Sequence, residues 1–205
     1  HDYWEELKSI LIKNNIEIEN INRAFDFAYK AHEGQIRDSG EPYISHPAWV
    51  AKLIAQMDIG EEAIITALLH DCLKKTPATI EEIDDKFGDE VALLVTGLSE
   101  VQDKTTGKNI DNTNVEIFRR FLFSSVDDVR ILIIRLADKL HNGMTIESIS
   151  EDKQIEYAKR VMGIYAPIAE YVGLHYFKKR LDDIAFKILY PKEAAQLSEE
   201  LKKQE

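Results

Sequence analysis

Three of the six histidines in this chain stand beside carboxylates or near predicted helix ends: His46, His70 and His141. His70 is followed directly by Asp71, and the pair comes after an apolar run. A second acidic residue, Asp138, follows another apolar run. A carboxylate in such a setting must be paired, hydrogen-bonded or bound to a metal if it is buried. Imidazole nitrogens and carboxylate oxygens together suit Mn²⁺, Fe²⁺ or Zn²⁺, so these residues are candidates for a divalent metal site.

The same residues also have an ordinary structural interpretation. His70 would then cap a helix or bond a backbone group, and Asp138 would pair with Arg135 or Lys139 on the surface. The residue types and their spacing leave both interpretations open.

The charge balance excludes some classes of partner. The chain has 26 basic and 37 acidic side chains, a net charge of −11, and residues 1–150 carry the whole excess because residues 151–205 are balanced. No broad basic face exists to follow a nucleic-acid backbone or an anionic membrane, so we expect neither DNA nor a membrane as partner. The single cysteine, Cys72, fits a reducing compartment, and we expect a cytoplasmic protein.

Apolar residues recur at helical spacing through almost the whole chain, and strand-like alternation is almost absent. The 9 glycines and 5 prolines are few for 205 residues, which favours long helices. The sequence therefore predicts an all-α fold. The predicted helices lie near residues 7–11, 21–32 with Asn20 as N-cap, 47–57, 61–75, 79–87, 89–101, 114–123, 129–140, 151–171, 174–190 and 192–203.

Local motifs predict where several of these helices begin and end. Pro77 ends the helix 61–75, which puts His70 and Asp71 near the middle of that helix. Residues 102–113 are polar and are predicted to form a loop. Two further helices begin with the spacing of a capping box, at Thr79 with Glu82 and at Ser125 with Asp128.

The helix after residue 128 is predicted to be deeply packed. Its apolar stripe consists of Val129, Leu132, Ile133, Leu136 and Leu140. Asp138, Asn142 and Thr145 would share one face of this helix if it continues that far.

Five ordered motifs of this sequence resemble the N-terminal hydrolase domain of long RelA/SpoT alarmone enzymes. They are residues 31–35 (AHEGQ), 39–47 (SGEPYISHP), 67–71 (ALLHD), 87–91 (FGDEV) and 136–142 (LADKLHN). Two later segments, 164–169 (IYAPIA) and 181–186 (LDDIAF), resemble the helical link that precedes the family's synthetase domain. The resemblance implies an HD-type phosphohydrolase fold over residues 1–150 and a helical extension over 151–205 that leads toward a synthetase domain in a longer parent chain.

The resemblance also implies a function and its residues. The family's hydrolase holds one Mn²⁺ and removes the 3′-pyrophosphate of guanosine tetraphosphate or pentaphosphate. The four metal-ligand positions match His46, His70, Asp71 and Asp138. Arg37 matches a residue that stacks on guanine, and the other nucleotide contacts match Ser39, Asn142 and Thr145. Without the resemblance, Arg37 is a solvated loop charge and Asn142 a helix-end residue.

The sequence departs from the family pattern where the chemistry is expected. The family motif continues with a Glu-Asp pair thought to activate the attacking water, whereas this chain has Lys74 and Lys75. An ammonium is a poor general base and repels a divalent cation. The lysines could instead bind phosphate as point charges, or extend into solvent.

Three hypotheses follow for the function. The first is an alarmone-enzyme HD domain whose nucleotide or metal pocket survives while hydrolysis is slow or absent. The second is an active Mn²⁺-dependent pyrophosphohydrolase in which another carboxylate has taken over. The third is an HD phosphohydrolase for a different nucleotide, against which Arg37, Asn142 and Thr145 argue.

Overall fold

The structure, a computed structural model, describes residues 2–105 and 127–202, with side chains for 3–100 and 127–202. Within these ranges the chain is helical, and the pairing of extended backbone is limited to an isolated bridge between Ile36 and Pro42. The predicted all-α fold is confirmed. The helices are α1 (Asp2–Lys13), α2 (Glu19–Ala31), α3 (Ser45–Ala55), α4 (Glu61–Leu69), α5 (Cys72–Lys75), α6 (Ile80–Phe87), α7 (Asp89–Thr105), α8 (Val129–Met144), α9 (Glu151–Arg160), α10 (Ala166–Tyr171), α11 (His175–Leu189) and α12 (Pro191–Lys202).

The chain forms two compact units, His1–His141 and Asn142–Glu205. In the first unit, α4 packs against α2, α3 and α7, while α1 packs on α3 and α6 on α7. All seven residues from Ala63 to Leu69 are buried. A helix that is apolar on every side belongs inside a domain, so α4 forms the centre of this unit. The residues that follow α4 are thereby held in the interior.

Helix α8 approaches α7 closely at Gly97. A Cβ atom at this position would lie 2.5 Å from Ile131 Cδ1, so only glycine fits without a shift of the isoleucine. One residue further on, the Leu98 carbonyl accepts a hydrogen bond from the Arg135 guanidinium. This contact anchors the part of α8 that carries Asp138.

Most helix ends follow the predicted local motifs. Thr79 and Glu82 form a complete capping box at the start of α6. The place predicted for Asp128 in a capping box with Ser125 is wrong, because Asp128 itself caps α8: its Oδ1 accepts the backbone N–H of Arg130 at 2.8 Å. Gly88 ends α6 with φ of 87°, a left-handed conformation that glycine adopts without strain.

Several predicted details are wrong. Helix α2 begins at Glu19 after Ile18, so Asn20 is not its N-cap. Val129 is 55% exposed because it begins α8, whereas the rest of its predicted stripe is buried. Helix α8 ends at Met144, so Thr145 does not lie on its face. Residues 102–105 continue α7 instead of beginning a loop. The remainder of that predicted loop, the predicted helix 114–123 and Ser125 lie outside the described residues.

The second unit matches the three helices predicted after residue 151. A π-helical turn, Val161–Tyr165, joins α9 to α10, and both helices pack against α11. Gly143 is needed here as well, because a Cβ atom would lie 2.4 Å from Tyr157 Oη and 3.0 Å from Ile184 Cδ1. Across both units, no described helix combines the length and apolar character needed to cross a membrane.

Candidate functional site

The four predicted metal ligands converge from three parts of the first unit. His46 is the second residue of α3, and Asp138 lies on the buried side of α8. His70 and Asp71 stand at a break between α4 and α5, so the predicted single helix over 61–75 is wrong. At this break, the Ala67 carbonyl that a continuing helix would use for the Asp71 N–H lies 2.8 Å from His70 Nδ1.

The donor atoms of these residues surround a common point. His46 Nε2 lies 3.2 Å from His70 Nε2 and 3.3 Å from Asp138 Oδ1. Asp71 Oδ2 lies 3.5 Å from His70 Nε2 and 3.8 Å from His46 Nε2. Metal bonds of about 2.1 Å would place neighbouring ligand atoms about 3.0–3.4 Å apart. His46, His70 and Asp138 therefore form a buried group able to hold a metal ion, with Asp71 at its edge.

Two imidazoles of the site, those of His46 and His141, are held in the neutral form. Burial lowers the pKa of His46 to about 4, although its hydrogen bond with Asp138 acts in the opposite direction. Burial likewise lowers the pKa of His141 to about 3. A neutral imidazole offers the lone pair that a metal ligand requires.

The two carboxylates are held ionised. Burial alone would raise the pKa of Asp138, but the charge of Lys139 and the hydrogen bond with His46 keep it well below its usual range. Burial would also raise the pKa of Asp71, but the charges of His70 and Lys75 lower it below its usual range. Neutral nitrogens and anionic oxygens are the ligand forms that suit a divalent cation.

Asp138 uses its two oxygens for different purposes. Oδ1 faces His46, whereas Oδ2 lies 3.1 Å from Arg135 Nη1 and 3.2 Å from Lys139 Nζ. The pairing with Arg135 and Lys139 thus exists, but Asp138 and Arg135 are buried, not on the surface. Both cations leave the oxygen that faces the imidazoles accessible to a metal.

Asp71 is held differently, because its Oδ2 contacts both the groups that hold it and the imidazoles. Oδ2 accepts a 2.6 Å hydrogen bond from the Tyr43 hydroxyl and lies 3.0 Å from Lys75 Nζ. The Lys75 ammonium also donates to the Tyr43 hydroxyl oxygen. The Lys75 side chain is 41% exposed, yet its charged end points to Asp71. Lys74 is half-buried.

A further layer behind Asp71 was not predicted from the sequence. The His32 ring stacks on Tyr43 with centroids 4.4 Å apart, and His32 Nδ1 lies 2.9 Å from Gln35 Oε1. Gln35 donates to the Lys75 carbonyl at 2.7 Å. His32, Gln35 and Tyr43 belong to the two motifs at 31–35 and 39–47. Their place in those motifs was the sequence signal that could have identified them as part of the site.

The predicted nucleotide-binding residues are spread over both units. Arg37 is half-buried, with its guanidinium carbon 5.8 Å from the Tyr43 ring centroid. Ser39 is exposed, and its hydroxyl lies 3.4 Å from Glu41 Oε2. Asn142 and Thr145 are half-buried residues of the second unit, where the Thr145 hydroxyl lies 3.4 Å from the Asn142 carbonyl. Their nucleotide contacts stay predictions.

An all-helical fold with a histidine–aspartate cluster between its helices is what defines an HD domain. The HD domain family model matches residues 24–175, and the chain belongs to this family. Within it, the chain closely matches the hydrolase region of SpoT/RelA-type (p)ppGpp synthase/hydrolases.

Two similar proteins have names that belong to this class of enzyme. The bifunctional (p)ppGpp synthase/hydrolase SpoT of Escherichia coli K12 is 40% identical over 85% of this chain and 25% of its own length. A guanosine-3′,5′-bis(diphosphate) 3′-pyrophosphohydrolase of Aquifex aeolicus is 40% identical over 92% of this chain and 27% of its own length. The chain thus spans about a quarter of the length of these curated relatives.

A solved structure supports the fold assignment. It comes from work describing a metazoan ortholog of SpoT that hydrolyses ppGpp, and it matches with a TM-score of 0.60. The match covers 83% of this chain and 96% of the other chain at 23% sequence identity. It confirms the HD-type fold predicted from the motifs.

Proposed function

We propose that this HD domain binds guanosine tetraphosphate or pentaphosphate together with Mn²⁺ and hydrolyses the 3′-pyrophosphate slowly or not at all. The names of the relatives support the substrate class, since they include (p)ppGpp synthase/hydrolase and guanosine-3′,5′-bis(diphosphate) 3′-pyrophosphohydrolase. The buried histidine–aspartate cluster supports a retained metal site.

The ligands in this proposal are His46, His70, Asp71 and Asp138. Their mixture of imidazole and carboxylate suits Mn²⁺ better than Mg²⁺ or Ca²⁺, which prefer oxygen alone. A divalent cation bound there would polarise a phosphoryl oxygen and lower the pKa of a bound water. The protein supplies the ligands in a fixed orientation, because every one of these side chains is buried.

The observation that carries the proposal is the contact between Lys75 and Asp71. The Lys75 ammonium lies 3.0 Å from Asp71 Oδ2, the oxygen that faces both imidazoles. An ammonium has three donors and no acceptor, so it cannot take a proton from water. At this position it also opposes the approach of a second cation to Asp71. A cation therefore stands where the hydrolase chemistry needs a proton acceptor.

The remaining charges suit binding better than cleavage. We propose that Lys74 and Lys75 bind phosphate groups as point charges, as lysine does in many sites. Arg37 supplies a planar guanidinium that can stack on an aromatic base. Ser39, Asn142 and Thr145 complete the proposed nucleotide contacts.

We propose a matching organisation for the longer protein. Residues 1–150 form the hydrolase-like domain, and residues 151–205 form a helical link toward a covalently attached synthetase domain in the cytoplasm. The proposal rests on the chain's spanning 25% of a relative that is named for both activities.

The proposal is tested by pyrophosphate release from guanosine tetraphosphate with Mn²⁺ present. The double variant Lys74→Glu/Lys75→Asp should release pyrophosphate about 10²–10⁴ times faster than the wild type, the usual contribution of a positioned general base. The matched control is Lys30→Glu/Lys86→Asp, which makes the same charge change at two exposed lysines of the same unit. Equal rates for the wild type and the first double variant would overturn the assignment of the low activity to these two lysines.

A further inference from the structure

His46 has an imidazole neighbour at each of its ring nitrogens. Its Nε2 faces His70 and Asp138, whereas its Nδ1 lies 2.8 Å from His141 Nδ1. Two nitrogens at this distance form a hydrogen bond in which one carries the proton and the other offers a lone pair. The tautomer of His46 is therefore tied to the tautomer of His141.

His70 differs because its tautomer is set by the backbone. Its Nδ1 lies 2.8 Å from the Ala67 carbonyl oxygen, which can only accept. His70 must carry a proton on Nδ1, which leaves Nε2 as the nitrogen that can offer a lone pair to the cluster. The partner at His46 Nδ1 is instead another imidazole, which can either donate or accept.

Two arrangements of the His46–His141 pair satisfy this geometry. In one, His141 donates to His46 Nδ1, and the His46 Nε2–H donates to Asp138 Oδ1 at 3.3 Å. In the other, His46 donates from Nδ1 to His141, and its Nε2 lone pair faces the cluster. In the second arrangement the His46 Nε2 lone pair lies 3.2 Å from His70 Nε2 and 3.3 Å from Asp138 Oδ1. Lone pairs this close together are favourable only around a cation.

We propose that His141 is the positioning residue of the metal site. Its Nδ1 accepts a hydrogen bond from the His46 Nδ1–H, which leaves His46 Nε2 as the nitrogen that binds the metal. This inference rests on the proposed function, because it assigns a role toward the proposed metal. Most metal-bound histidines donate their second N–H to a carboxylate, carbonyl or water, and loss of that partner weakens metal binding roughly 10–100-fold. Here a neutral imidazole takes that place.

The surroundings of His141 hold its ring in place for this role. The ring is 6% exposed, and the Trp49 ring lies 4.8 Å from it, between centroids. On this side the two rings line a cavity of about 100 Å³ that also contains Glu41 and Ser45. The ring thus lies between His46 and this cavity.

The first measurement is Mn²⁺ affinity by titration calorimetry. His141→Leu should bind Mn²⁺ roughly 10–100 times more weakly than the wild type. His141→Asn should recover most of the affinity, because its amide oxygen lies near the position of Nδ1 and accepts a hydrogen bond. His175→Leu, a change at an exposed histidine of the second unit, is the control and should have no effect.

The second measurement does not depend on a variant that folds. In the wild type loaded with diamagnetic Zn²⁺, nitrogen-15 NMR of the histidine rings should find the proton of His46 on Nδ1 and the proton of His141 on Nε2. A His46 proton on Nε2 in the loaded protein would overturn the inference, as would unchanged Mn²⁺ affinity in a folded His141→Leu. A wild type that binds neither ion would overturn the proposed metal site itself, which is a distinguishable result.

Discussion

Asp71 and Asp138 are buried carboxylates beside the same imidazoles, yet their cations contact them in different ways. At Asp138, Arg135 and Lys139 hold Oδ2, and Oδ1 faces His46. At Asp71, Lys75 holds Oδ2, which is the oxygen that faces the imidazoles. A cation on the far oxygen orients a ligand, whereas a cation on the near oxygen competes with the metal. The position of a positive charge, not its presence, decides whether it supports the site.

The Asp138 side should make the larger contribution to stability. Arg135→Met removes the guanidinium from buried Asp138 and from the Leu98 carbonyl, and we expect it to lower the free energy of unfolding by about 3–5 kcal/mol. Urea unfolding measures the change. Arg130→Met is the matched control, because Arg130 pairs with half-exposed Asp128 and exposed Glu90 and should cost about 0–1 kcal/mol. Equal losses in the two variants would break the comparison.

On the Asp71 side, Tyr43→Phe should have a smaller effect. The change deletes the 2.6 Å hydrogen bond to Asp71 but keeps a ring that can stack on His32. A hydrogen bond to a charged group contributes about 1.5–3 kcal/mol, and we expect the lower end because Tyr43 is only partly buried. Urea unfolding again gives the value, with Tyr29→Phe at an exposed tyrosine as control. An unchanged free energy of unfolding in Tyr43→Phe would show that the Tyr43 hydroxyl does not stabilise Asp71.

The two lysines sharpen the comparison at the level of metal binding. Lys75→Met removes the positive charge from the Asp71 oxygen that faces the imidazoles and leaves the hydrogen bond from Tyr43 in place. We expect Mn²⁺ to bind roughly tenfold more tightly, a difference of about 1.4 kcal/mol. Lys139→Met removes a charge from the far oxygen of Asp138 and should change the affinity less. Titration calorimetry measures both. A larger gain in Lys139→Met than in Lys75→Met would contradict the distinction between near and far oxygens.

The helices were predictable from local sequence patterns, and the cluster was predictable from motifs that resemble a known family. Apolar periodicity predicted the helices, and the Thr79–Glu82 spacing predicted a capping box. The clustering of His46, His70 and Asp138 was expected from the residue types and from the resemblance. These features depend on residue type and spacing, which the sequence contains directly.

The contacts that decide the chemistry were not predictable. The direction of Lys75 depends on the place of Tyr43, 32 residues earlier. The bond between His46 and His141 joins residues 95 positions apart. Such contacts form only when the helices pack, so spacing along the chain does not determine them.

The central claim is that this domain binds its nucleotide without cleaving it efficiently. The most direct test incubates the wild type with Mn²⁺ and guanosine tetraphosphate, and measures bound nucleotide and released pyrophosphate in the same sample over several hours. The account predicts that the nucleotide binds and stays intact while Lys74→Glu/Lys75→Asp consumes it under the same conditions. Rapid release of pyrophosphate by the wild type, at the rate of that variant, would contradict it.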